Sequence, residues 1–183
     1  MSLPRQFLTQ RPSEQAAAAD DQNPERGRCP GWLRRAWVSG SSASLCSTAL
    51  LSLLSHRRLR APAAGTNATS QWIWPRRAHW HFAADLRHTA TGYAIHHLCS
   101  VFWAGSYEML RGRRRTPGPV LAAAAATTAV AYLVDYKVVP PRLSPGFDRH
   151  LRRADLVLVY AAFAAGLAVP ALLARRGRRA RPR

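Results

Sequence analysis

Apolar positions in this chain gather into four long runs, roughly residues 37–54, 88–110, 119–139 and 154–174, each fenced by arginines. Each run is close to the ~20 residues that an α-helix needs to cross the hydrocarbon core of a bilayer. Between Pro117 and Lys137 the single charged residue is Asp135, and between Asp155 and Arg175 there is none. The pattern predicts an all-α protein: a four-helix transmembrane bundle with an interfacial segment between the first and second spans. The first run is the least apolar, with Ser39, Ser41, Ser42, Ser44, Ser47, Thr48 and Ser52 before the stop at His56-Arg57-Arg58. Small side chains let helix backbones approach closely, so a span is preferred to an amphipathic surface helix.

The connections carry their own signals. Residues 55–87 crowd Trp72, Trp74 and Trp80 together with Arg76-Arg77 and His79/His81. Indoles favour the headgroup layer, which predicts a segment lying along the membrane surface and broken at Pro75. Pro117 and Pro119 open the third run and Pro140-Pro141 close it. Asp155 is placed to complement the N-terminus of the fourth helix, which carries Ala161/Ala165 and Ala162/Gly166 at four-residue spacing and Pro170 near its end. Such seams suit packing of helices in lipid and self-association into a homo-oligomer.

A formal charge of +18 changes the picture only in part. The basic residues stand as short fences at the ends of the runs, without zinc-finger spacing, a recognition helix or an aromatic RNA-binding strand, so nucleic acid is not an expected partner. Topology and contact with anionic headgroups of membrane lipids account for them. Counting Arg and Lys between spans gives sixteen on the side of the two termini and ten on the other. Both termini are therefore expected in the cytoplasm. Arginine in great excess over one lysine, with abundant alanine, suits a bacterium of high genomic GC. Residues 1–36 are expected to be a disordered cytoplasmic tail without the features of a signal peptide, and 175–183 a basic C-terminal tail. Cys29, Cys46 and Cys99 are isolated, and no C-x-x-C occurs.

Candidate chemistry concentrates in the second run. At 100° per residue, Tyr93, His97, Ser100, Ala104, Tyr107 and Glu108 fall in one stripe, with His96 turned away from it. Ala124, Thr128, Ala131, Tyr132 and Asp135 share a face of the third run. Charged groups at membrane depth are costly and find partners, so Tyr93, His96, His97, Tyr107, Glu108, Thr128 and Asp135 form the candidate buried network. Glu108 is matched in depth to the Arg111–Arg115 fence or the C-terminal arginines, and Asp135 to His88 more than to His96 or His97. A metal or haem site on His96, His97 or His88 is disfavoured because adjacent histidines diverge by 100°. His79-x-His81 lacks carboxylate or thiolate support. A hydrolase would need paired groups at one level. No catalytic residue, metal or cofactor is expected. A structural or assembly role leads, with a small transporter or proton-coupled channel as the alternative.

Three blocks carry a resemblance: Asn67-Ala-Thr-Ser-Gln-Trp-Ile-Trp74, Asp85-Leu-Arg-His-Thr-Ala-Thr-Gly-Tyr-Ala-Ile-His-His97 and Phe102-Trp-Ala-Gly-Ser-Tyr-Glu108. Over about residues 40–168 the chain resembles small multipass inner-membrane proteins of proteobacteria whose activity is uncharacterised and, more distantly, YagU-type membrane proteins. The resemblance implies a helical bundle in a bacterial inner membrane and assigns no catalytic role to any residue.

Overall fold

A computed structural model of the chain describes residues 30–179, with side chains through residue 176. Among the described residues the fold is entirely helical. The first helix, α1 (Gly31–Leu59), starts directly after Pro30 and ends with His56, Arg57 and Arg58 in its last turn, where cations complement the helix dipole. Arg60 leaves it at φ 56°, the left-handed position that glycine more often fills, with its N–H donating to His56 O at 2.9 Å. A six-residue helix, α2 (Ala64–Thr69), and short 3₁₀ turns at Ser70–Trp72 and Ala78–Trp80 fill the long connection. A π-helical turn, Leu86–Ala90, feeds α3 (Thr91–Arg111), which Gly112 stops at φ 61°. Next comes α4 (Pro117–Leu133), which has proline in its first turn, where a missing N–H is harmless. It continues as a π turn, Val134–Val138, until Pro140-Pro141 bar further helix. The last helix is α5 (Arg153–Arg179).

Three of these helices are long and apolar enough to cross a membrane: Gly31–Leu59, Pro117–Val138 and Arg153–Arg176. The 21-residue α3 has the length, but its histidines, Glu108 and hydroxyl groups lower its mean hydropathy. Several boundaries differ from the sequence expectation. Helix α1 starts at Gly31 and so takes up residues assigned to the N-terminal tail, because Pro30 is followed by residues compatible with helix. Helix α5 extends through Arg179, past the expected end at 174. The expectations for residues 1–29 and 180–183 lie outside the described residues.

Two apolar layers hold the helices together. One joins Ala36 and Ala43 of α1, Ala104 and Tyr107 of α3, Val120 and Ala123 of α4, and Phe163, Leu167 and Ala171 of α5. The other joins Leu51 and Leu54 of α1 with Phe147, Leu151, Leu156 and Val159. The start of α1, end of α3, start of α4 and end of α5 thus share one level, an up-down-up-down arrangement. The serines of α1 belong to its packing face: Ala36, Ser39, Gly40, Ala43, Ser44, Ser47, Leu51, Leu54 and Ser55 are all buried at helical spacing.

Glycine decides how closely the helices approach. A Cβ on Gly40 would stand 2.6 Å from Val101 Cα of α3, and one on Gly166 would stand 2.5 Å from Ala43 Cα of α1. Backbone therefore meets backbone on both sides of α1. At the opposite end from the α3–α4 turn, Arg58 grips Asp155 through two bonds of 3.0 and 3.1 Å, tying the end of α1 to the start of α5. Asp155 also accepts from Arg152 N at 3.1 Å, the reciprocal half of a capping box.

The long connection departs from the expected surface segment. Every residue from Ala63 to Gln71 is buried, because α2 is pressed between α1 and α3. Gly65 meets Leu51 and Ser55, and Gly92 lies so close to Thr66 that a Cβ would stand 2.0 Å from the Thr66 carbonyl oxygen. The later part of the connection is mostly exposed, with Trp80 80% and Leu86 88% accessible, but Ala78, His79 and His88 are buried. The segment is thus a folded cap over one end of the helices.

Candidate functional site

The seven sequence-predicted residues do not form one network. Polar groups collect in three places at different heights, because each helix turn advances 5.4 Å along the axis and pairing is confined to neighbours at equal depth.

At the level of the α3–α4 turn, Glu108 and Arg111 lie one turn apart on α3, and Arg35 and Ser39 one turn apart on α1. Glu108 is 2% exposed and Arg111 4%. Glu108 Oε1 accepts from Ser39 Oγ at 2.8 Å, and Oε2 accepts from Arg35 Nε at 3.0 Å and from Arg111 Nη2. Arg111 also donates to Arg114 O at 2.6 Å and lies over the Tyr107 ring at 5.5 Å. The expected Arg111 partner is present. The rest of the Glu108 carboxylate is spent on α1, not on the C-terminal arginines. Arg35 and Ser39, which sequence reasoning placed in a tail and in a packing face, are its missing partners.

At mid-height, His96 is corrected from a residue turned away to a residue turned in. Its Nε2 lies 2.9 Å from Ser47 Oγ, and the Ser47 hydroxyl also lies 2.8 Å from Ala43 O. Ser100 Oγ donates to the His96 carbonyl at 2.7 Å. Across a half-open cavity of about 60 Å³, room for a few waters, Asp135 accepts from Tyr160 O–H at 2.5 Å. Ser47, His96, Cys99, Asp135 and Tyr160 all line this cavity. His97 is elsewhere, edge-on to Trp37 at 5.5 Å and tilted against Tyr93 at 5.8 Å. Thr128 is buried on α4 with its hydroxyl unpartnered, as is the Tyr107 hydroxyl.

The cap holds the third group. Asn67 of α2 is fully buried; its Nδ2 donates to His81 O at 2.8 Å and Ala83 O at 2.9 Å, while its Oδ1 accepts from Thr89 Oγ1 at 2.6 Å. One amide thus pins both ends of the segment 81–89. Asp85 caps the π turn, with Oδ1 accepting from His88 N at 2.6 Å. Its Oδ2 lies 2.8 Å from His81 Nε2 and 3.1 Å from His88 Nδ1. The backbone N–H of His88 is the main reason the Asp85 carboxyl is lowered to about 2, with the His88 ring, the Thr89 N–H and His81 adding to it against desolvation. Gln71 ties the cap to the second connection, donating to Ser144 O at 2.6 Å. Asn67 and Gln71 were missed by sequence reasoning. Two uncharged amides in a polar connection signal nothing until burial shows what they hold.

His79 and His150 face each other in the same cap, with ring centroids 6.2 Å apart. Burial holds both below the ordinary 6.5, with the Arg149 charge adding to the effect on each and Asp148 opposing it. An unfolded chain takes up protons at the ordinary value while the folded cap resists them. Stability is thus complete above about pH 6.5 and declines as pH falls toward the lowered folded values. Thermal melts of purified protein should show the midpoint dropping between about pH 7.5 and pH 5.5, with a shallower slope in His79→Gln. An identical slope in the variant would remove His79 as the cause.

Comparison with protein-family models, with curated proteins and with solved structures returned no match.

Proposed function

We propose that the chain is a four-span integral protein of a bacterial inner membrane, with both termini cytoplasmic and a structural or assembly role rather than catalysis. The observation that carries this reading is the binding of Glu108 by Arg35, Ser39 and Arg111. A carboxylate with all its strong acceptor positions taken by its own helices serves to fix the register of α1 against α3, not to turn over a substrate. Counting α3 as the remaining span is supported by its two faces: Ser100, Ala104, Tyr107 and Glu108 turn inward, while Leu98, Phe102, Met109 and Leu110 are exposed. Arginines at the helix ends, Arg34 and Arg113 to Arg115 among them, then meet anionic headgroups. The alanine surface between α4 and α5, with Ala125, Ala129, Ala161 and Ala165, suits a second copy.

Expression with reporter fusions tests the topology. Fusions at the termini and within residues 112–116 are expected to report cytoplasm, and fusions within residues 82–84 and 144–150 the opposite side, with the protein staying in alkali-washed membranes. Recovery of the unfused chain in the soluble fraction without detergent would end the proposal.

A second reading, a small oligomeric transporter or proton-coupled channel, has the mid-height cavity in its favour, since it brings the titratable His96 and Asp135 to one space. A pH-driven flux in proteoliposomes, lost in both His96→Ala and Asp135→Asn, would replace the structural role with this one.

A further inference from the structure

We propose that His81, Asp85 and His88 form a binding site for a divalent transition-metal ion of the zinc class, built into the cap and independent of how the helices sit in a membrane. The spacing H-x₃-D-x₂-H by itself says little. The fold supplies the convergence: the three ligand atoms all lie within 4.8 Å of one another. A tetrahedral ion with arms of about 2.0–2.1 Å holds its ligand atoms roughly 3.3–3.4 Å apart, so the two nitrogen–oxygen separations need to change only slightly. The observed values are 2.8 Å for His81 Nε2 and 3.1 Å for His88 Nδ1, both to Asp85 Oδ2.

Hydrogen bonding explains only part of this cluster. His81 Nε2 is buried and close to the carboxylate, yet it makes no aligned hydrogen bond with it or with any other atom. An ion lying off the line between nitrogen and oxygen satisfies that lone pair, which a direct bond along the line does not. The rings of His81 and His88 stack at 4.1 Å, so they have to open by about 1 Å for both to reach one tetrahedral ion. Asp85 divides its labour, with Oδ1 taken by backbone N–H groups of the π turn and Oδ2 facing the two rings, hydrogen-bonded to His88 Nδ1 and unaligned with His81 Nε2.

The surroundings are organised as ligand support. Asn67 holds the carbonyl of His81 on one side and the hydroxyl of Thr89, next to His88, on the other. Trp74 packs against the His88 ring at 5.2 Å, and the Arg87 guanidinium covers Trp74 at 4.9 Å. Groups that orient ligands in this way commonly govern affinity as much as the ligands do. Two imidazoles and one carboxylate suit zinc, cobalt or ferrous ions over calcium or magnesium, which prefer oxygen alone. His81 and Asp85 are each about a third exposed, leaving the remaining coordination position to water.

Cobalt(II), whose visible spectrum reports coordination, is the probe. The full-length protein in detergent, stripped with chelator, is titrated with cobalt and then displaced with zinc. A single saturable equivalent with intense tetrahedral-type bands is expected, lost in His81→Gln and in His88→Gln. Asn67→Ala is expected to bind roughly 10–100-fold more weakly. His56→Gln, at the end of α1, should titrate like the parent. Because His81 is partly exposed, its variant is expected to keep the parent's metal-free melting curve, which separates lost ligation from lost folding. Absence of saturable binding in the parent, or binding that survives both ligand substitutions, would overturn the site. So would loss of binding on His79→Gln with His81→Gln unaffected.

Discussion

Glu108→Ala is expected to lower stability by about 3–5 kcal/mol, the range seen when one member of a buried ion pair is removed. Arg111 is almost wholly enclosed, and its other strong contact is the Arg114 carbonyl. Without the carboxylate its guanidinium charge remains in a site built for a neutralised pair, and Ser39 loses its acceptor. Arg35 is affected less, because it is partly exposed and can turn to solvent. A double substitution, Glu108→Leu with Arg111→Met, should recover much of the loss, since replacing a buried pair by apolar groups is often near neutral. Melting curves of the purified proteins in one detergent make the comparison. A single variant within about 0.5 kcal/mol of the parent would mean that water already screens the cluster.

Gly92→Ala is expected to be the most damaging single-methyl addition among the described glycines. Its new carbon would stand 2.0 Å from the Thr66 carbonyl oxygen and 3.0 Å from the carbonyl carbon. Both are backbone atoms, so no side chain can rotate away, and α2 has to lift from α3. Overpacking costs about 1–3 kcal/mol where side chains can adjust; a backbone obstacle places this site at or above the upper end. The loss should be local as well. Faster amide exchange is expected across residues 64–90, where Asn67 would lose its hold on His81 and Thr89. Gly105→Ala is the matched control: it lies on the same helix with nothing within 4 Å of the added carbon. It should be neutral or gain up to about 1 kcal/mol from helix propensity. Similar behaviour of the two variants would deny the close approach of α2 and α3.

How much of this was readable in advance depended on the range of the interaction concerned. The fences at Arg57-Arg58 and Pro140-Pro141 and the prolines from Pro117 are local, and they place helix ends to within a turn or two. The inward face of α4, with Ala124, Thr128 and Ala131 buried, follows from helical periodicity. Periodicity also put Tyr107 and Glu108 on one side of α3. It could not say which neighbouring helix Glu108 meets. The structure chose α1, because Gly40 admits α3 to backbone contact there and brings Arg35 and Ser39 to the carboxylate. His96 was misjudged for a related reason. A stripe drawn on one helix assumes one buried side, whereas α3 is covered by α1, α4 and the cap together.

The cap was the least legible part. Tryptophans and arginines marked residues 55–87 as a surface segment, and the exposed Trp80 keeps that character. The burial of Ala63–Gln71 rests on Gly65 and Gly92 fitting against partners far away in the chain, which no local pattern records. His81 looked unsupported because the sequence pairs it with His79 and no adjacent carboxylate or thiolate; in the fold His79 faces His150 instead. Its actual neighbours, Asp85 and His88, come round through an extended stretch and a π turn.

By itself, the order of residues determined a helical fold for the described residues and most helix ends to within a turn or two, and it offered four apolar runs, three of which form helices long and apolar enough for a membrane, since these depend on side chains within a few turns of each other. Only the packed structure decided which helix takes Glu108, which space His96 and Asp135 share, and that a polar connection folds back as a cap with three ligand atoms facing one another. Those outcomes follow from contacts between backbones brought together by glycine, and a missing side chain announces no partner until the partner is in place.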